Sequence, residues 1–439
     1  MKFNQSLKSI ELNIENSSHD GRGIASIDGK TAFIDGAIMG EKVIGSITRQ
    51  NRRYYEGHVL EVLKSAPERT TPPCTHFGTC GGCSLQHMTI ASQIDLKQQT
   101  LLQQLKHFGH VTPEVILPPL SGQTEGYRGK ARLGVRFVYK KDKLLVGFRE
   151  KQSNYLADLQ NCLILNPIIG LRLTHLAKLV RSLSQYEHIP QIEVACGDHD
   201  TALIIRHMTT LSQEDQQKIC DFAKTYALHI YLQPNPPEKV HKIWPIDQNE
   251  FLTYTIPQFQ IEMQFHPLSF TQVNAEMNQK MISAAIELLA PNPEDHILDL
   301  FCGLGNFTLP LARFAKKVIG VEGSQEMVNY AKKNAQHNGL YNTDFFAANL
   351  MAPVLNAPFM QPYDKILLDP PRTGAKEIIA YFKQFNAKKI VYVSCNPATL
   401  ARDANELVNI QGYTLKKAGI INMFPHTSHI EAIALFEKY

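Results

Sequence analysis

From about residue 275 onward, short apolar runs alternate with helical patterns, and each run has a polar or reactive residue at or near its end. The runs are HILDLFCG (296–303), KVIGVEG (317–323), KILLDPP (365–371) and KKIVYVSC (388–395). Buried parallel strands have such short, continuous apolar sequences because helices cover both faces of their sheet. The alternation therefore predicts a doubly wound α/β domain, whose ligands bind at the carboxyl ends of the strands.

The first of these strands leads into a glycine-bearing turn and a helix, LDLFCGLGNFTLPLAR. Gly303 and Gly305 allow the backbone to approach a ligand, and the helix N-terminus directs its amides toward the same place. Glu322 ends the next strand, about twenty residues later, where a carboxylate can accept hydrogen bonds from a ribose diol. The third glycine of the dinucleotide pattern is missing and Asp299 opens the loop, so a cationic, phosphate-free ligand such as S-adenosylmethionine fits best. A tight packing turn is the alternative.

The third and fourth strands end in Asp369 and Cys395, which are expected in the same crevice. A thiolate at the edge of such a crevice is a good nucleophile, and a nearby helix N-terminus is expected to lower the thiol pKa. Methyl transfer to oxygen or nitrogen needs no such nucleophile, whereas the C5 carbon of a pyrimidine does. Glu431, just after two histidines near the C-terminus, is a candidate base for the C5 proton. The alternatives are a small core cysteine and a surface acid at a strand edge.

The N-terminal part of the chain has a different pattern. Short strand-like runs separated by glycine turns predict a small β-barrel over residues 1–66. A proline-containing linker follows, and then a helix near 92–110 that is expected to pack on the catalytic domain. Residues 67–265 read as a mixed central α+β domain, and residues 266–439 as the catalytic domain.

Charge is concentrated in one segment of the central domain. The whole chain carries a net charge of +4, whereas residues 124–151 contain nine basic and three acidic residues. Four aromatic residues, Tyr127, Phe137, Tyr139 and Phe148, interleave with the basic ones. This pattern suits a polyanion whose bases can stack, and a solvated strand face is the alternative.

Three cysteines, Cys74, Cys80 and Cys83, form a C-x5-C-x2-C motif with two glycines in the loop. Such clustering in a chain without an export signal indicates metal binding. Zinc, with His76 or His87 as the fourth ligand, is compatible with the motif. An iron–sulfur cluster is also compatible, and would prefer a fourth cysteine. Core packing is the default for Cys196, Cys220 and Cys302.

Five ordered motifs resemble the S-adenosylmethionine-dependent RNA uracil-C5 methyltransferases. They are HPLSFTQVN, LDLFCGLGNFTLPLAR, LLDPPRTG, VYVSCNP and MFPHTSHIE. The resemblance covers nearly the whole chain and is strongest to the branch that modifies 23S ribosomal RNA. It implies a Rossmann-like methyltransferase domain with an N-terminal OB-like RNA-binding barrel (a TRAM domain).

The resemblance also implies roles for individual residues. Cys395 is the expected nucleophile and Glu431 the base. Phe270 and, in the basic segment, Arg132 are expected to contact the RNA substrate. The expected donor-binding residues are Gln272, Phe301, Asn306, Glu322, Asn349 and Asp369. A [4Fe–4S] cluster is expected on Cys74, Cys80, Cys83 and Cys162.

The resulting hypothesis is methylation of C5 of one uridine in 23S ribosomal RNA. The alternatives are a transfer-RNA uracil-C5 methyltransferase, an amino-methyltransferase acting on adenine or cytosine, and a non-enzymatic, metal-containing RNA-binding assembly factor. No long apolar run or signal peptide occurs, so a cytoplasmic protein without membrane partners is expected. A monomer is expected.

Overall fold

The computed structural model describes residues 7–235, 239–246, 249–352 and 356–438. Residues 1–6 of the predicted barrel lie outside the described residues. The chain forms two compact units. The first contains the chain through Thr100 together with Arg149–Asn154 and Phe424–His429. The second contains Leu101–Phe148, Tyr155–Met423 and the chain from Ile430.

The first unit contains a six-stranded sheet that confirms the predicted short strands. The strands are β1 (Leu7–Asn13), β2 (Asn16–Ser17), β3 (Gly23–Ile27), β4 (Lys30–Asp35), β5 (Lys42–Gln50) and β6 (Tyr54–Lys64). Their order is β1-β5-β6-β4-β3-β2, and only the β4–β6 pair is parallel. Alternate residues, among them Ala25, Ala32, Ile34 and Val43, form the core of this sheet, as expected for strands with one buried face.

The middle of the chain contains a mixed sheet in the order β13-β12-β11-β10-β8-β9 and a β14–β15 hairpin. The elements are α1 (Ile90–His107), β7 (Val115–Ile116), β8 (Lys130–Val138), β9 (Lys143–Gly147), α2 (Pro167–Gly170), α3 (Leu173–Arg181), β10 (Gln191–Cys196), β11 (Thr201–Arg206), α4 (Gln213–Tyr226), β12 (Leu228–Gln233), β13 (His241–Trp244), β14 (Leu252–Ile256) and β15 (Ile261–Phe265). Ser212 caps α4 by accepting a hydrogen bond from the Asp215 amide.

The predicted strand–helix alternation is confirmed in the C-terminal part. Its elements are α5 (Ala275–Leu289), β16 (His296–Leu300), α6 (Thr308–Ala312), β17 (Lys317–Glu322), α7 (Gln325–His337), β18 (Thr343–Ala347), β19 (Lys365–Leu368), α8 (Lys376–Ile379), α9 (Phe382–Phe385), β20 (Lys389–Ser394), α10 (Pro397–Asn405), β21 (Thr414–Ile421) and β22 (Glu431–Glu437). Among the described residues, no helix combines the length and apolar character needed to cross a bilayer.

The seven C-terminal strands and β7 form one eight-stranded sheet in the order β18-β17-β16-β19-β20-β22-β21-β7. The five strands from β18 to β20 are parallel, whereas β22 runs antiparallel to both β20 and β21. An antiparallel strand begins at the edge where its neighbour ends. The start of β22 therefore lies at the carboxyl edge of the parallel strands, where doubly wound proteins bind their ligands.

Candidate active site

Cys395 and Glu431 lie on neighbouring strands at the carboxyl edge of the sheet. Ser394, the last residue of β20, is paired with Ala432 of β22, so the register carries Cys395 toward Glu431. Asp369 follows β19, the strand on the other side of β20. The structure thus brings together three residues that are far apart in the sequence.

The backbone around Cys395 is held by its neighbours. Asn396 accepts a hydrogen bond from the Ala398 amide at 3.1 Å and caps α10, in which Pro397 is the first residue. The Ser394 hydroxyl accepts the Asn396 amide at 3.2 Å. Asn396 also donates its side-chain amide to the Arg372 carbonyl at 3.0 Å, which joins this turn to the loop after β19. Ser394 thus ends β20 and Asn396 caps α10, so Cys395 lies at the junction of the strand and the helix.

The Cys395 thiol is harder to ionise than the sequence predicted. Burial raises its pKa to about 11, and the nearby carboxyl groups of Glu431 and Asp369 act in the same direction, while Arg372 opposes them. The expectation of a lowered thiol pKa is therefore wrong here. A helix N-terminus typically stabilises a negative charge by only about 0.3–1 kcal/mol, which is less than the effect of burial beside two acids.

The two carboxyl groups beside Cys395 also resist ionisation. Burial raises the pKa of Glu431 well above its ordinary value, Asp369 adds to the effect and Arg372 opposes it. Burial raises the pKa of Asp369 to about 7. Neighbouring acids titrate together, since ionising one makes ionising the other more costly. Arg372 is a functional candidate that no sequence motif assigned, although its position directly after Asp-Pro-Pro is a possible signal for it.

The glycine loop and Glu322 meet as the sequence predicted. The Glu322 carboxylate accepts the backbone amide of Gly303 and that of Ser324, both at 3.1 Å. Gly303 has a φ of +54°, and a side chain at this position would point into open space. The carboxylate thus fixes the loop while the backbone beside it stays accessible to a ligand.

Asp299 presents a second polar feature beneath this loop. It is fully buried, and one of its carboxylate oxygens accepts the Thr308 hydroxyl. The other oxygen, Oδ1, has no hydrogen-bond partner within the described residues. Burial raises the pKa of Asp299 to about 8. A buried, half-satisfied carboxyl group near Glu322 and Asp369 fits a cationic ligand and disfavours a phosphate.

The structure places Asn306 in a side-chain network that the sequence analysis did not find. Its Oδ1 accepts the Tyr254 hydroxyl at 3.0 Å and the Asn278 amide at 3.1 Å, and its own amide donates to Asn278 at 2.8 Å. Tyr254 belongs to the β14–β15 hairpin, and no motif connects it with the loop. Gln272 lines a cavity of about 190 Å³ together with Tyr254 and Asn278.

The two remaining predicted donor contacts lie at strand ends. Phe301, directly after β16, has a φ of +63°, an uncommon conformation for a bulky residue that marks a constrained turn. Asn349 lies just beyond β18, where Ala347 is paired with Glu322. The Asn349 side chain accepts the Met351 amide at 3.0 Å, so it is held beside the Glu322 strand end.

Phe270 is 73% exposed and stands on a loop that is anchored from the central sheet. Lys130 of β8 donates its ammonium group to the carbonyls of Pro267, at 3.0 Å, and of Ser269. Arg132, two residues further along β8, is exposed and pairs with Glu193 at 3.2 Å. Lys130 was missed because one basic residue in a basic segment carries no distinguishing signal.

The cysteine motif lies in the first compact unit, whereas Cys162 belongs to the second. Burial raises the pKa of Cys80, and the nearby Cys74 thiol adds to this effect. The Cys80 sulfur also accepts the Gly82 amide at 3.4 Å. Within the described residues, however, no three His, Cys, Asp or Glu side chains are arranged as a metal site. The thiols of Cys74, Cys80 and Cys83 are ligands of the chemical type that an iron–sulfur cluster requires.

Comparison with known proteins agrees with this architecture. The solved structure of Pyrococcus abyssi tRNA (uracil-54, C5)-methyltransferase in complex with S-adenosyl-L-homocysteine has a similar fold, with a TM-score of 0.73. The likeness covers 97% of this chain and 99% of that one, at 22% sequence identity. The sheet order and the crevice at its carboxyl edge define an S-adenosylmethionine-dependent methyltransferase fold.

Sequence comparison identifies the family. Residues 89–439 match the family described as tRNA (Uracil-5-)-methyltransferase, and residues 8–60 match the TRAM domain. The chain is 52% identical over 436 residues to Hahella chejuensis 23S rRNA (uracil(1939)-C(5))-methyltransferase RlmD, with 98% of each chain covered. It is 51% identical over 426 residues to the Alcanivorax borkumensis protein of the same name, covering 97% of this chain and 96% of that one. The chain belongs to the uracil-C5 RNA methyltransferase family.

Proposed function

We propose that this protein methylates C5 of one uridine in 23S ribosomal RNA, with Cys395 as nucleophile and Glu431 as base. The observation that carries the proposal is the pairing of β20 and β22, which sets a thiol beside a buried carboxyl group at the ligand-binding edge of a methyltransferase sheet. Two relatives named as 23S rRNA uracil-C5 methyltransferases, each about half identical over nearly the full length, support the choice of RNA.

The Cys395 sulfur, once deprotonated, forms a bond to C6 of the uracil ring. The electrons of the C5–C6 double bond move into the ring carbonyl system, so C5 becomes nucleophilic. S-adenosylmethionine, when bound, would supply the methyl group: the bond from C5 to the methyl carbon forms as the sulfonium–methyl bond breaks, and S-adenosyl-L-homocysteine is the leaving group. Arg372 favours ionisation of the Cys395 thiol, in opposition to burial and the two acids.

Glu431 acts after methyl transfer. Its carboxylate removes the C5 proton, the C5–C6 double bond re-forms, and the Cys395 sulfur leaves C6. One proton is released overall for each methyl group transferred. A raised pKa makes Glu431 a stronger base once it has ionised, which suits removal of a proton from carbon.

The proposed donor-binding residues surround the glycine loop. The Glu322 carboxylate would accept hydrogen bonds from the ribose hydroxyls, and Asp369 would face the positive charge of the donor. Asn306, oriented by Tyr254 and Asn278, would hold a polar group of the donor. The other proposed contacts are Gln272, Phe301 and Asn349.

The proposed RNA surface extends over several elements. Phe270, exposed and anchored through its loop by Lys130, would stack on the target base. Arg132 and the basic 124–151 segment would contact phosphates. The TRAM domain would add a limited second contact area, and a stacked target uridine would be flipped out to reach Cys395.

We further propose that Cys74, Cys80, Cys83 and Cys162 hold a [4Fe–4S] cluster with a structural or RNA-contacting role, since the uracil chemistry contains no redox step. The spacing of the motif and the proximity of the Cys74 and Cys80 thiols support this assignment. Iron and acid-labile sulfide are expected at about four atoms each per chain after anaerobic purification. Stoichiometric zinc without sulfide would contradict the assignment.

Further proposals concern the whole chain. The domain limits are 1–66, 67–265 and 266–439, and the protein acts as a monomer in the cytoplasm. Size measurement in solution, with and without RNA, tests the oligomeric state. Separate expression of residues 266–439 tests whether the catalytic domain folds independently and binds S-adenosylmethionine.

The reaction is tested by incubating purified protein with S-adenosylmethionine and either 23S ribosomal RNA fragments or transfer RNA, followed by mass-spectrometric mapping of 5-methyluridine. We expect one methylated uridine in 23S RNA and none in transfer RNA. The Cys395→Ala variant should be inactive, while Cys220→Ala, a partly exposed cysteine on α4, should retain activity. Unchanged methylation by Cys395→Ala would rule out the covalent mechanism, and methylation of transfer RNA alone would favour the transfer-RNA alternative.

A further inference from the structure

The first compact unit contains a cavity of about 650 Å³, which lies within the usual size range of small-molecule sites. It is lined by residues of the β-sheet, of the cysteine segment and of Arg149–Asn154. Among them are Arg49, Arg69, Phe77, Gly78, His87 and Lys151. The cavity has no part in the methyl-transfer chemistry described above.

His87 is the unexplained group in this cavity. Its side chain is only 3% exposed, yet neither ring nitrogen has a hydrogen-bond partner within the described residues. A buried polar group without a partner costs roughly 1–3 kcal/mol, so an imidazole in this position indicates a ligand that completes its hydrogen bonds. Burial lowers the pKa of His87 to about 4, and Arg69 adds to the effect, so the ring is neutral near pH 7.

The shape and charge of the cavity indicate what that ligand is. Phe77 stacks on the His87 ring with centroids 5.6 Å apart, and an aromatic wall of this kind suits a planar group. The cations that line the cavity are already paired. Arg69 is paired with Glu41, Lys151 with Asp35, and Arg22 and Arg49 with Glu56. The lining holds these four cations and two acids, Asp35 and Glu56, so the cavity is mildly basic while its cations are held in ion pairs. A planar base inside the cavity, with its phosphate at the basic rim, suits this arrangement.

We propose that this cavity binds the base of an unpaired nucleotide of the substrate RNA, other than the target uridine, and that His87 reads the hydrogen-bonding edge of that base. The neutral imidazole offers one donor and one acceptor, which matches the edge of a nucleobase. Arg49, with a side chain 66% exposed, stands at the rim and would contact the adjoining phosphate. The inference rests on the proposed RNA substrate and adds a second base-reading site to it.

The test combines base removal in the RNA with substitution in the protein. A 23S RNA fragment that contains the target uridine is prepared with an abasic site at each unpaired position in turn, and binding is measured by fluorescence anisotropy. For the wild-type protein, one non-target abasic site should weaken binding roughly tenfold. His87→Phe keeps the ring volume and removes the hydrogen bonds, and should weaken binding to the intact RNA to a similar extent.

The decisive result is non-additivity. His87→Phe should bind that particular abasic RNA no more weakly than it binds the intact RNA, because both changes remove the same interaction. His87→Gln, which retains a donor and an acceptor, should recover part of the loss. Equal binding of intact RNA by wild type and His87→Phe, or additive losses at every abasic site, would overturn the proposal. Additive losses would indicate that the cavity contacts the RNA backbone and not a base.

A second variant covers the case in which His87→Phe does not fold. Gly78 lines the cavity with a φ of +90°, and a side chain there would meet no atom within 4 Å. Asparagine tolerates this backbone region, so Gly78→Asn should fold and obstruct the cavity. Its matched control is Gly29→Asn, on the turn between β3 and β4, with a φ of +74° and equally open surroundings. Gly78→Asn should reproduce the abasic pattern, whereas Gly29→Asn should bind RNA like wild type.

His87→Phe and Gly78→Asn should each retain the wild-type kcat at saturating RNA, with the change confined to KM. These measurements distinguish failure of the proposed methyltransferase function from failure of the proposed base-reading site. A wild-type protein that forms no 5-methyluridine in any RNA contradicts the proposed function. Normal methylation with no difference between Gly78→Asn and Gly29→Asn contradicts only the base-reading site.

Discussion

At the scale of single residues, the site brings a thiol and two carboxyl groups together in surroundings that keep all three protonated more readily than usual. Burial is the largest cause for Cys395, Glu431 and Asp369 alike. A sequence can locate such residues at strand ends. It cannot predict their pKa values, because these depend on how deeply the strands are covered and on which charges face one another.

The pH dependence of the reaction follows from these shifts. Both Cys395 and Glu431 act in their deprotonated forms, and the pKa of each is raised. Activity should therefore be lost as pH falls and should still be rising above pH 8, with kcat/KM measured at limiting RNA. A flat profile through the neutral and alkaline range would show that neither deprotonation limits the reaction.

The raised pKa of Glu431 also predicts a pH-dependent gain in stability for Glu431→Gln. An acid whose pKa is raised by folding binds more protons in the folded state, so wild-type stability falls as pH rises above the unfolded value of about 4.5. Glutamine does not ionise, so the Glu431→Gln variant lacks this loss of stability at rising pH. The melting temperature of Glu431→Gln relative to wild type should increase from pH 5 to pH 8.

The control for this measurement lies at the other end of the same strand. Glu437 pairs with Lys389 at 3.1 Å and is partly exposed. Glu437→Gln should show no comparable increase in relative melting temperature with pH. Parallel pH curves for the wild-type protein and Glu431→Gln would contradict the assigned burial effect.

At the scale of elements, the strand ends were predictable and the network around them was not. Local signals such as the β-branched run before Ser394 and the Asn-Pro cap of α10 depend only on neighbouring residues. Tyr254 and Asn278 reach Asn306 from separate elements, so no local pattern reveals them. The end of α3 at Arg181 has a local cause, since the Ser182 hydroxyl donates back to the Leu179 carbonyl.

The glycine loop gives a prediction with a closely matched control. Gly303 and Gly339 have φ values of +54° and +65°, and a side chain at either position would meet no atom within 4 Å. Substitution by alanine at either position should therefore lower the free energy of unfolding by a similar amount, on the order of 1 kcal/mol. Only Gly303→Ala should weaken S-adenosylmethionine binding, by about tenfold or more, because its methyl group enters the donor site. Calorimetric titration of both variants checks this, and equal donor affinities would place the donor elsewhere.

At the scale of the whole molecule, the alternation of strands and helices and the basic segment were accessible from sequence, but the grouping of distant segments was not. Arg149–Asn154 and Phe424–His429 belong to the first compact unit, although most of that unit precedes residue 101. Within it, Lys97 donates to the Phe424 carbonyl at 2.9 Å, and the His426 amide donates to Gln93 at 2.8 Å. Such contacts are long-range, so composition and periodicity carry no record of them.

The basic segment predicts a salt dependence for RNA binding. Arg136, Lys140 and Lys141 are exposed. Changing all three to alanine should weaken RNA binding and make the plot of log K against log salt less steep, by the equivalent of up to about three phosphate contacts. The control changes three exposed lysines of the catalytic domain, Lys316, Lys332 and Lys383. Both variants are titrated with RNA over a range of salt concentrations. An equal slope for the basic-segment variant and wild type would exclude phosphate contacts there.

In the proposed mechanism, Cys395 forms a covalent bond to the RNA and Glu431 allows that bond to break. The most direct measurement is the intact mass of the Glu431→Gln variant after incubation with S-adenosylmethionine and a 23S RNA fragment, under denaturing conditions. Covalent catalysis by Cys395 with release by Glu431 predicts an adduct of protein and RNA that carries one added methyl group and disappears when Cys395→Ala is combined with Glu431→Gln. Free, fully methylated RNA without any adduct, or an adduct that lacks the methyl group, would contradict it.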